Sequence, residues 1–360
     1  MNRMAFLDPT LQFKQNRWKW IFLRSASLIY ETVIRCWLLL YRSGLKSPAS
    51  VSVPVVSVGN ITVGGTGKTP LIEWLSGYFE NRGKKVAVLT RGYKAKRQGR
   101  YRVLDRTAAT KGGWEQFGDE PWWLLKSHPE IRIHISPDRV GAARKAQKEA
   151  DLLLLDDGMQ HLKLARSLDI VLVDTAKGFG NGQILPLGPL REPLRGLERA
   201  DAILFTKSNL ASRDRMPSLL VEAVAPKTPK YDCQYLPLHL LSSFGDRIVP
   251  PSEVKNGSCG LFSGIGNPAS FEAAVKKLGV GAVEHLILPD HCSYDGGSLR
   301  ELMAFFSQHR FDFFICTEKD WVKLERRKGE LPEIFRLKMA LQPNPMFVRL
   351  LDSRFFVDTP

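Results

Sequence analysis

Three features of the sequence predict an α/β fold: a P-loop NTPase-like, mostly parallel sheet covered by helices, with a second, smaller α/β domain and an N-terminal amphipathic helix. The β-branched run "VSVPVVSVG" (51–59) leads directly into "NITVGGTGKTP" (60–70). Short apolar runs then alternate with helical stretches, the pattern of strands buried on both faces. Many of those runs end in a charged residue, and the carboxyl ends of parallel strands are where such folds place their chemistry.

The totals fit that class. At 360 residues with 44% hydrophobic content, the chain can build one large or two medium cores. A net charge of +15 points to an anionic partner: a nucleotide, a nucleic acid, an anionic membrane or a phosphorylated substrate. The basic residues do not interleave with aromatics along one groove-sized stretch, so nucleic acid is not expected. Five scattered cysteines without a CxxC predict neither a disulfide framework nor a zinc ribbon. No signal peptide and no uncharged apolar stretch of spanning length is read.

The first element is "RWKWIFLRSASLIYETVIRCWLLLYR" (17–42). On a helix, Arg17, Arg24, Glu31, Arg35 and Arg42 fall within about 40° of one another and form a narrow, mostly cationic stripe. The remainder is largely apolar, with aromatics at both ends. That suits a helix lying in a membrane interface, cations near lipid phosphates, or one packed on its own domain; the two are compatible if one face packs and another touches lipid.

The strand 51–59 is followed by "TVGGTGKT", Thr62, Val63, Gly64, Gly65, Thr66, Gly67, Lys68 and Thr69, and by a helix opening with Pro70 in its first turn. Glycines let backbone N–H groups approach phosphate oxygens, and the helix N-terminus adds positive potential. Lys68 neutralises β/γ oxygens, and Thr69 offers a hydroxyl to Mg²⁺. The usual opening glycine is replaced by Thr62, with Gly64 and Gly65 supplying the freedom instead. Val63 stands where some dimeric ATPases carry an extra lysine, so nothing supports that arrangement.

Next come "KKVAVLTRGYK" (84–94) with Arg91 at its strand end, "IRIHIS" (131–136) followed by a helix, and "DLLLLDDGMQHLKL" (151–164). Four leucines ending in Asp156 and Asp157 read as a Walker B strand, whose carboxylate holds Mg²⁺ directly or through water; a pair of capping aspartates is the plainer alternative. His161 either orients a carboxylate or phosphate or is a surface imidazole. "FTKSN" (205–209) resembles a guanine-reading element but ends in Asn209, where the base-pairing carboxylate belongs. In "QFGDEPWW" (116–123), Asp119 and Glu120 are either a helix cap or a free acid able to accept a hydroxyl proton. The Gly/Pro-rich stretch 180–201 carries Arg191, Glu192, Arg195 and Arg199, either an anion clamp or a solvated loop.

From about residue 228 the composition shifts to a Pro/Ser-rich segment read as a linker with short strands. α/β patterning then resumes, giving boundaries of 1–48 for the membrane-interface helix, 49–228 for the nucleotide-binding domain and 229–360 for the smaller domain. "LPDHCSYD" puts His291 at a strand end among acids, as a catalytic partner or a loop filler.

Taken together, "VPVVSVGNITVGGTGKTP", "LTRGYK", "GDEP", "LDDGMQH", "GNGQILPLGPLREP" and "FSGIGNPASF…LPDHCSYD…CTEKD" resemble the tetraacyldisaccharide 4′-kinases, the lipid A 4′-kinases of Gram-negative bacteria. The resemblance covers most of the chain. It implies transfer of the γ-phosphoryl group of ATP to the 4′-hydroxyl of a lipid-embedded disaccharide 1-phosphate. It also implies a membrane-associated N-terminal helix and two α/β domains with the site in the cleft. Peripheral attachment to the cytoplasmic face of the inner membrane and Mg²⁺ as cofactor are expected with it, and no obligate protein partner is evident. Residue by residue it makes 62–69 the P-loop, Asp156 and Asp157 the metal and phosphate acids with His161 nearby, and Asp119 the base. His291 becomes the partner of Asp119, and Arg191 and Glu192 become substrate or phosphate contacts, with Arg91 and Glu120 beside them. Met159 and Cys292 depart from the family pattern, where an aromatic and a second histidine are common.

Overall fold

The computed structural model describes residues 17–92, 101–208, 216–245, 247–308 and 310–356. Asn209 and the last two residues of "LTRGYK" lie outside them.

Thirteen strands are described, hydrogen-bonded in one sheet: β1 (Val55–Gly59), β2 (Val86–Thr90), β3 (Arg102–Leu104), β4 (Arg132–Ile135), β5 (Leu152–Asp156), β6 (Leu168–Asp174), β7 (Ala202–Thr206), β8 (Lys230–Ser242), β9 (Ile248–Val249), β10 (Cys259–Ser263), β11 (Val283–Ile287), β12 (Phe313–Thr317) and β13 (Ile334–Pro343). Their order is β11-β10-β12-β13-β8-β7-β6-β1-β5-β2-β4-β3, with β9 beside β8. Most pairs are parallel; β3–β4, β8–β13 and β8–β9 are antiparallel. The mostly parallel α/β architecture expected from the alternation is therefore present.

The Walker B leucines show how the sheet is buried. Successive strand residues face opposite sides, so Leu152 and Leu154 join a cluster with Leu71, Leu75 and Phe79 of the helix α2 (Lys68–Glu80). Leu153 and Leu155 join Ala142, Ala143 and Ala146 on the other face. Each fully buried leucine contributes about 1.5–3 kcal/mol, which is why an uninterrupted apolar run is stable here and an alternating one is not required.

β1 lies between β5 and β6. Chain connections diverge there, which opens a crevice at the strand ends, and the glycine loop leaves β1 into it. Residues 230–242, read from sequence as part of a linker with short strands, form one 13-residue strand. Its first residues pair with β7 in parallel, and the rest pairs with β13 in antiparallel fashion. Its one proline, Pro237, stands opposite Met339 of β13 where the register shifts, an irregularity of the kind at which a ladder tolerates a missing N–H.

The N-terminal helix, α1, spans Arg17–Arg42, as its periodicity predicts. One face packs inward: Ser27 Oγ donates to the Ile184 carbonyl at 2.9 Å and Tyr30 OH to the Arg191 carbonyl at 3.1 Å. Another face leaves Trp18 82%, Phe22 72% and Ile29 67% exposed. Arg24, Arg35 and Arg42 run between the two. No helix among the described residues is long and apolar enough to cross a membrane.

Candidate active site

The phosphate loop is stitched to the Gly/Pro-rich stretch rather than standing alone. Thr62 makes an antiparallel bridge with Leu190, Val63 N–H donates to the Pro189 carbonyl at 2.8 Å, and Arg191 N–H donates to the Ile61 carbonyl at 2.7 Å. A β-type residue at 62 thus has a strand-like job, which accounts for the missing opening glycine. At Gly64, with φ of +107°, and at Gly65, a Cβ would meet nothing within 4 Å: both border open space that a phosphate chain can fill. Gly67 caps α2 with φ of 96°, a conformation that glycine adopts freely. Thr206 Oγ1 and Lys207 Nζ brace the Thr66 and Gly65 carbonyls at 2.8 and 3.3 Å.

Lys68 sits among polar groups that set its position. Its Nζ donates to Asn60 Oδ1 at 3.3 Å and lies 3.5 Å from Asp157 Oδ1. Arg191 Nη1 holds both oxygens of Asp157, at 2.7 and 2.8 Å. Glu192 is 1% exposed, and its oxygens accept from Gln160 at 2.8 Å and Arg199 at 2.7 Å. Glu192 therefore organises the arginine loop; among the residues expected to touch substrate, its carboxylate is the one already fully engaged.

The two Walker B aspartates diverge. Asp157 adopts φ of 51°, an unusual conformation for a residue with a Cβ, tolerated best by Asp and Asn. Burial would raise its proton affinity, but Lys68 and Arg191 outweigh it and keep the carboxyl below its ordinary range. Asp156 accepts from Thr90 Oγ1 at 2.8 Å. Burial, then the neighbouring Glu120 and Asp157, push its carboxyl up to about 6. Asp156, Thr69, Thr90 and Glu120 line one small cavity. A carboxylate crowded by other carboxylates beside a threonine hydroxyl fits a divalent cation, which relieves the repulsion. No cluster of three His, Cys, Asp or Glu able to hold a metal occurs among the described residues. Mg²⁺ does not need one, because it keeps waters and takes phosphate oxygens.

Glu120, which lines that cavity, comes from α3 (Asp119–Ser127), whose first turn holds Asp119 and Glu120. Asp119, 7% exposed, receives His291 Nδ1 on Oδ2 at 2.8 Å. The two are 172 positions apart in sequence. Burial raises the affinity of Asp119 for a proton, yet His291, Lys323 and Lys319 together hold it well below the usual carboxylate range. Glu120 pairs with Lys319 Nζ at 2.5 Å and is likewise kept ionised. His291 stands at φ of 61°, a strained position of the kind that collects at functional sites.

Other expected residues lie further out. Arg91 is exposed at the end of β2. His161 is half-buried, and burial with Arg139 and Arg166 lowers its ring to about 4, so the imidazole is neutral. Sequence reading missed Arg139, 7% exposed, whose charge acts on Asp156 and Asp157; it missed Lys319 and Lys323 as well. "PDRV" gave no signal beyond a helix start. Lys319 lies in the motif "CTEKD", which carried the resemblance without a role for the lysine, and Lys323 lies beyond it.

A P-loop, a divergent aspartate pair and a distant Asp–His dyad thus meet around one crevice. The family described as Tetraacyldisaccharide-1-P 4'-kinase matches residues 19–355. The chain belongs to this family. Among curated relatives, the tetraacyldisaccharide 4'-kinase of Syntrophotalea carbinolica is 34% identical over 313 residues, 86% of this chain and 85% of that one. The corresponding protein of Pseudomonas paraeruginosa is 35% identical over 338 residues, 92% of each. The crystal structure of LpxK from Aquifex aeolicus in complex with ATP superposes with a TM-score of 0.72 at 29% identity, covering 92% of this chain and 98% of that one. The tetraacyldisaccharide 4'-kinases carry out ATP-dependent phosphorylation of a sugar hydroxyl in lipid A biosynthesis, and the expectation of such a kinase holds for this chain.

Proposed function

We propose that the cleft between the parts 49–228 and 229–360 transfers the γ-phosphoryl group of ATP to the 4′-hydroxyl of a tetraacyldisaccharide 1-phosphate, with Asp119 as the base. The observation that carries this reading is the Asp119–His291 contact of 2.8 Å, beside a Glu120 that shares a cavity with Thr69 and Asp156. The open glycine loop and Lys68 receive the β- and γ-phosphates. Thr69 and Asp156 are the residues that would hold Mg²⁺, which supplies charge neutralisation on the phosphate oxygens. Asp157, bound to Arg191, sets the position of Lys68 instead.

Asp119 takes the proton of the 4′-hydroxyl while that oxygen bonds to the γ-phosphorus and the β–γ bridging oxygen leaves on ADP. His291 orients Asp119 and supports its charge. The exposed apolar face of α1, flanked by Arg24, Arg35 and Arg42, rests on the anionic cytoplasmic surface of the inner membrane, where the substrate's acyl chains lie.

Purified protein incubated with γ-labelled ATP, Mg²⁺ and detergent-dispersed disaccharide 1-phosphate is expected to yield a labelled bisphosphorylated lipid. Acceptor-independent hydrolysis in its place sinks the reading. Flotation with anionic phospholipid vesicles tests the membrane half, which fails if Phe22→Asp/Ile29→Asp floats as well as the unaltered chain.

A further inference from the structure

The segment after β12 forms a short helix, α8 (Glu318–Leu324), which follows α4 (Arg139–Ala146), α5 (Met216–Val224), α6 (Pro268–Lys276) and α7 (Gly296–Gln308). Lys319 and Lys323 are one turn apart and share a face. They address consecutive residues of α3: Lys319 Nζ reaches Glu120 at 2.5 Å, and Lys323 Nζ lies 3.3 Å from Asp119 Oδ2. The two pairs differ in exposure. The side chains of Lys319 and Glu120 are 28% and 36% exposed, those of Lys323 and Asp119 only 2% and 8%. An ammonium that deep is costly unless it is paired, and the phosphoryl transfer as described gives it no task.

The oxygens of Asp119 are used unequally. Oδ2 carries both His291 Nδ1, at 2.8 Å, and Lys323 Nζ, at 3.3 Å. Among the described residues, Oδ1 accepts from the adjacent Glu120 N–H alone, at 3.0 Å. A carboxylate offers about four lone-pair sites; with the His291 hydrogen bond and the Lys323 charge both on Oδ2, Oδ1 is the oxygen with more room for an acceptor. The same helix also holds the histidine's backbone. Asp320, fully buried, accepts from Gly264 N–H at 3.0 Å, and the Gly264 carbonyl accepts from His291 N–H at 2.9 Å.

We propose that Lys323 is a positioning residue of the transfer: with His291 it pins Asp119 Oδ2, so that Oδ1 is the atom that takes the proton of the sugar hydroxyl. Lys323 touches neither ATP nor acceptor. The charged groups facing Asp119 are His291, Lys319 and Lys323, with Glu120 beside it and Asp320 behind Lys323. The proposal rests on Asp119 being the base.

The test measures kcat and both KM values for Lys323→Met, Lys323→Gln, Lys323→Arg, Asp119→Asn and Asp119→Asn/Lys323→Met in the full chain. Lys323→Met is expected to lower kcat about 100-fold or more, the scale of a disordered acid–base group. KM for ATP stays within about threefold, Lys323→Arg recovers about tenfold of the loss, and the double variant is no slower than Asp119→Asn. Where Met does not fold, Gln is read by the same criteria.

A kcat within threefold of the unaltered protein, a loss confined to KM, or a double variant as slow as the product of its parts overturns the proposal. If Asp119→Asn is inactive while the Lys323 variants are not, only the role of Lys323 falls; if Asp119→Asn turns over normally, the base assignment falls first. A structure with a non-transferable ATP analogue and acceptor gives an answer that needs no variant. The 4′-hydroxyl is expected on Oδ1, and a hydroxyl on Oδ2, or Lys323 on the acceptor, overturns the proposal.

Discussion

At the end of the site proposed to take phosphate, the charged side chains stand open to the crevice. Lys68 and Asp157 are 16% and 34% exposed and Arg191 is 23% exposed, and the adjoining Gly64 and Gly65 border empty space. At the end proposed to take the acceptor, Asp119 and Lys323 are sealed. Both ends rely on carboxylates paired with cations, so the difference lies in one pair: Asp119 and Lys323 are closed off, while their neighbours His291, Lys319 and Glu120 are as open as the groups around Lys68. A group that must admit a triphosphate and release a diphosphate has to exchange its partners, and water substitutes for them in between. A base that meets one hydroxyl in one orientation gains from partners that never leave, because preorganisation is what makes proton transfer efficient. Truncation therefore has different consequences at the two ends. At the open end it removes chemistry; at the sealed end it also strands a buried charge.

The largest expected effect is on turnover at the open end. Lys68→Ala is expected to lower kcat by about 10³-fold or more, the scale seen when a charge-stabilising group is removed from a transition state. Its urea midpoint is expected to move less than that of Asp119→Ala, since Arg191 still holds both oxygens of Asp157 once Lys68 is gone. Steady-state kinetics beside urea titration check both halves. A Lys68→Ala protein that is fully active, or one that is inactive because it is unfolded, breaks the contrast.

Next in size is the stability cost at the sealed end. Asp119→Ala leaves Lys323 with its ammonium buried and its nearest carboxylate gone, which costs about 3–5 kcal/mol for buried pairs of this kind. Asp119→Ala/Lys323→Met removes both charges and is expected to regain most of that loss. Urea unfolding of the single and double variants measures it. If the single variant unfolds with Lys68→Ala, the acceptor end is not sealed in solution and the comparison fails.

The same division decides what the sequence disclosed. Gly64 to Thr69 are contiguous, and their spacing alone states their chemistry, because a phosphate cradle is made by one strand–loop–helix turn. The four leucines before Asp156 are legible for a similar local reason. The dyad is not local: nothing in "GDEP" or "LPDHCSYD" says that the two segments meet, and that pairing came only through resemblance to a family. Lys319 and Lys323 were missed because "FDFFICTEKD" reads as a strand to its end, whereas the chain turns into a helix at Glu318 and packing turns both lysines toward Asp119 and Glu120. Residues 230–242 form one strand where short strands in a linker were expected, because the surrounding prolines and serines signal a loop, while Pro237 sits at a register shift and the strand's two halves find partners on opposite sides. Arg139 gave no signal at all; its meaning lies in the carboxylates of another strand.

Asp156 gives the smallest effect and the one whose sign is most informative. Its carboxyl is pushed up to about 6 from an ordinary 3.8, first by burial and then by Glu120 and Asp157. With the folded value raised, the folded chain binds more protons than the unfolded chain between about pH 4 and 6, so stability falls as pH rises through that window and stays lower above it. Asp156→Asn removes the ionisation while preserving an acceptor for Thr90. Without metal, the variant is therefore expected to be more stable than the unaltered protein above about pH 6, by about 1–3 kcal/mol, and equal to it below about pH 4. Urea titrations at pH 4 and pH 8 in chelator decide this. Added Mg²⁺ is expected to stabilise the unaltered protein and not the variant, since a ligand that binds only the folded state adds to its stability. A variant that is weaker at both pH values places the strain elsewhere, and the crowding of Asp156, Glu120 and Asp157 is then not what prepares this end for a cation.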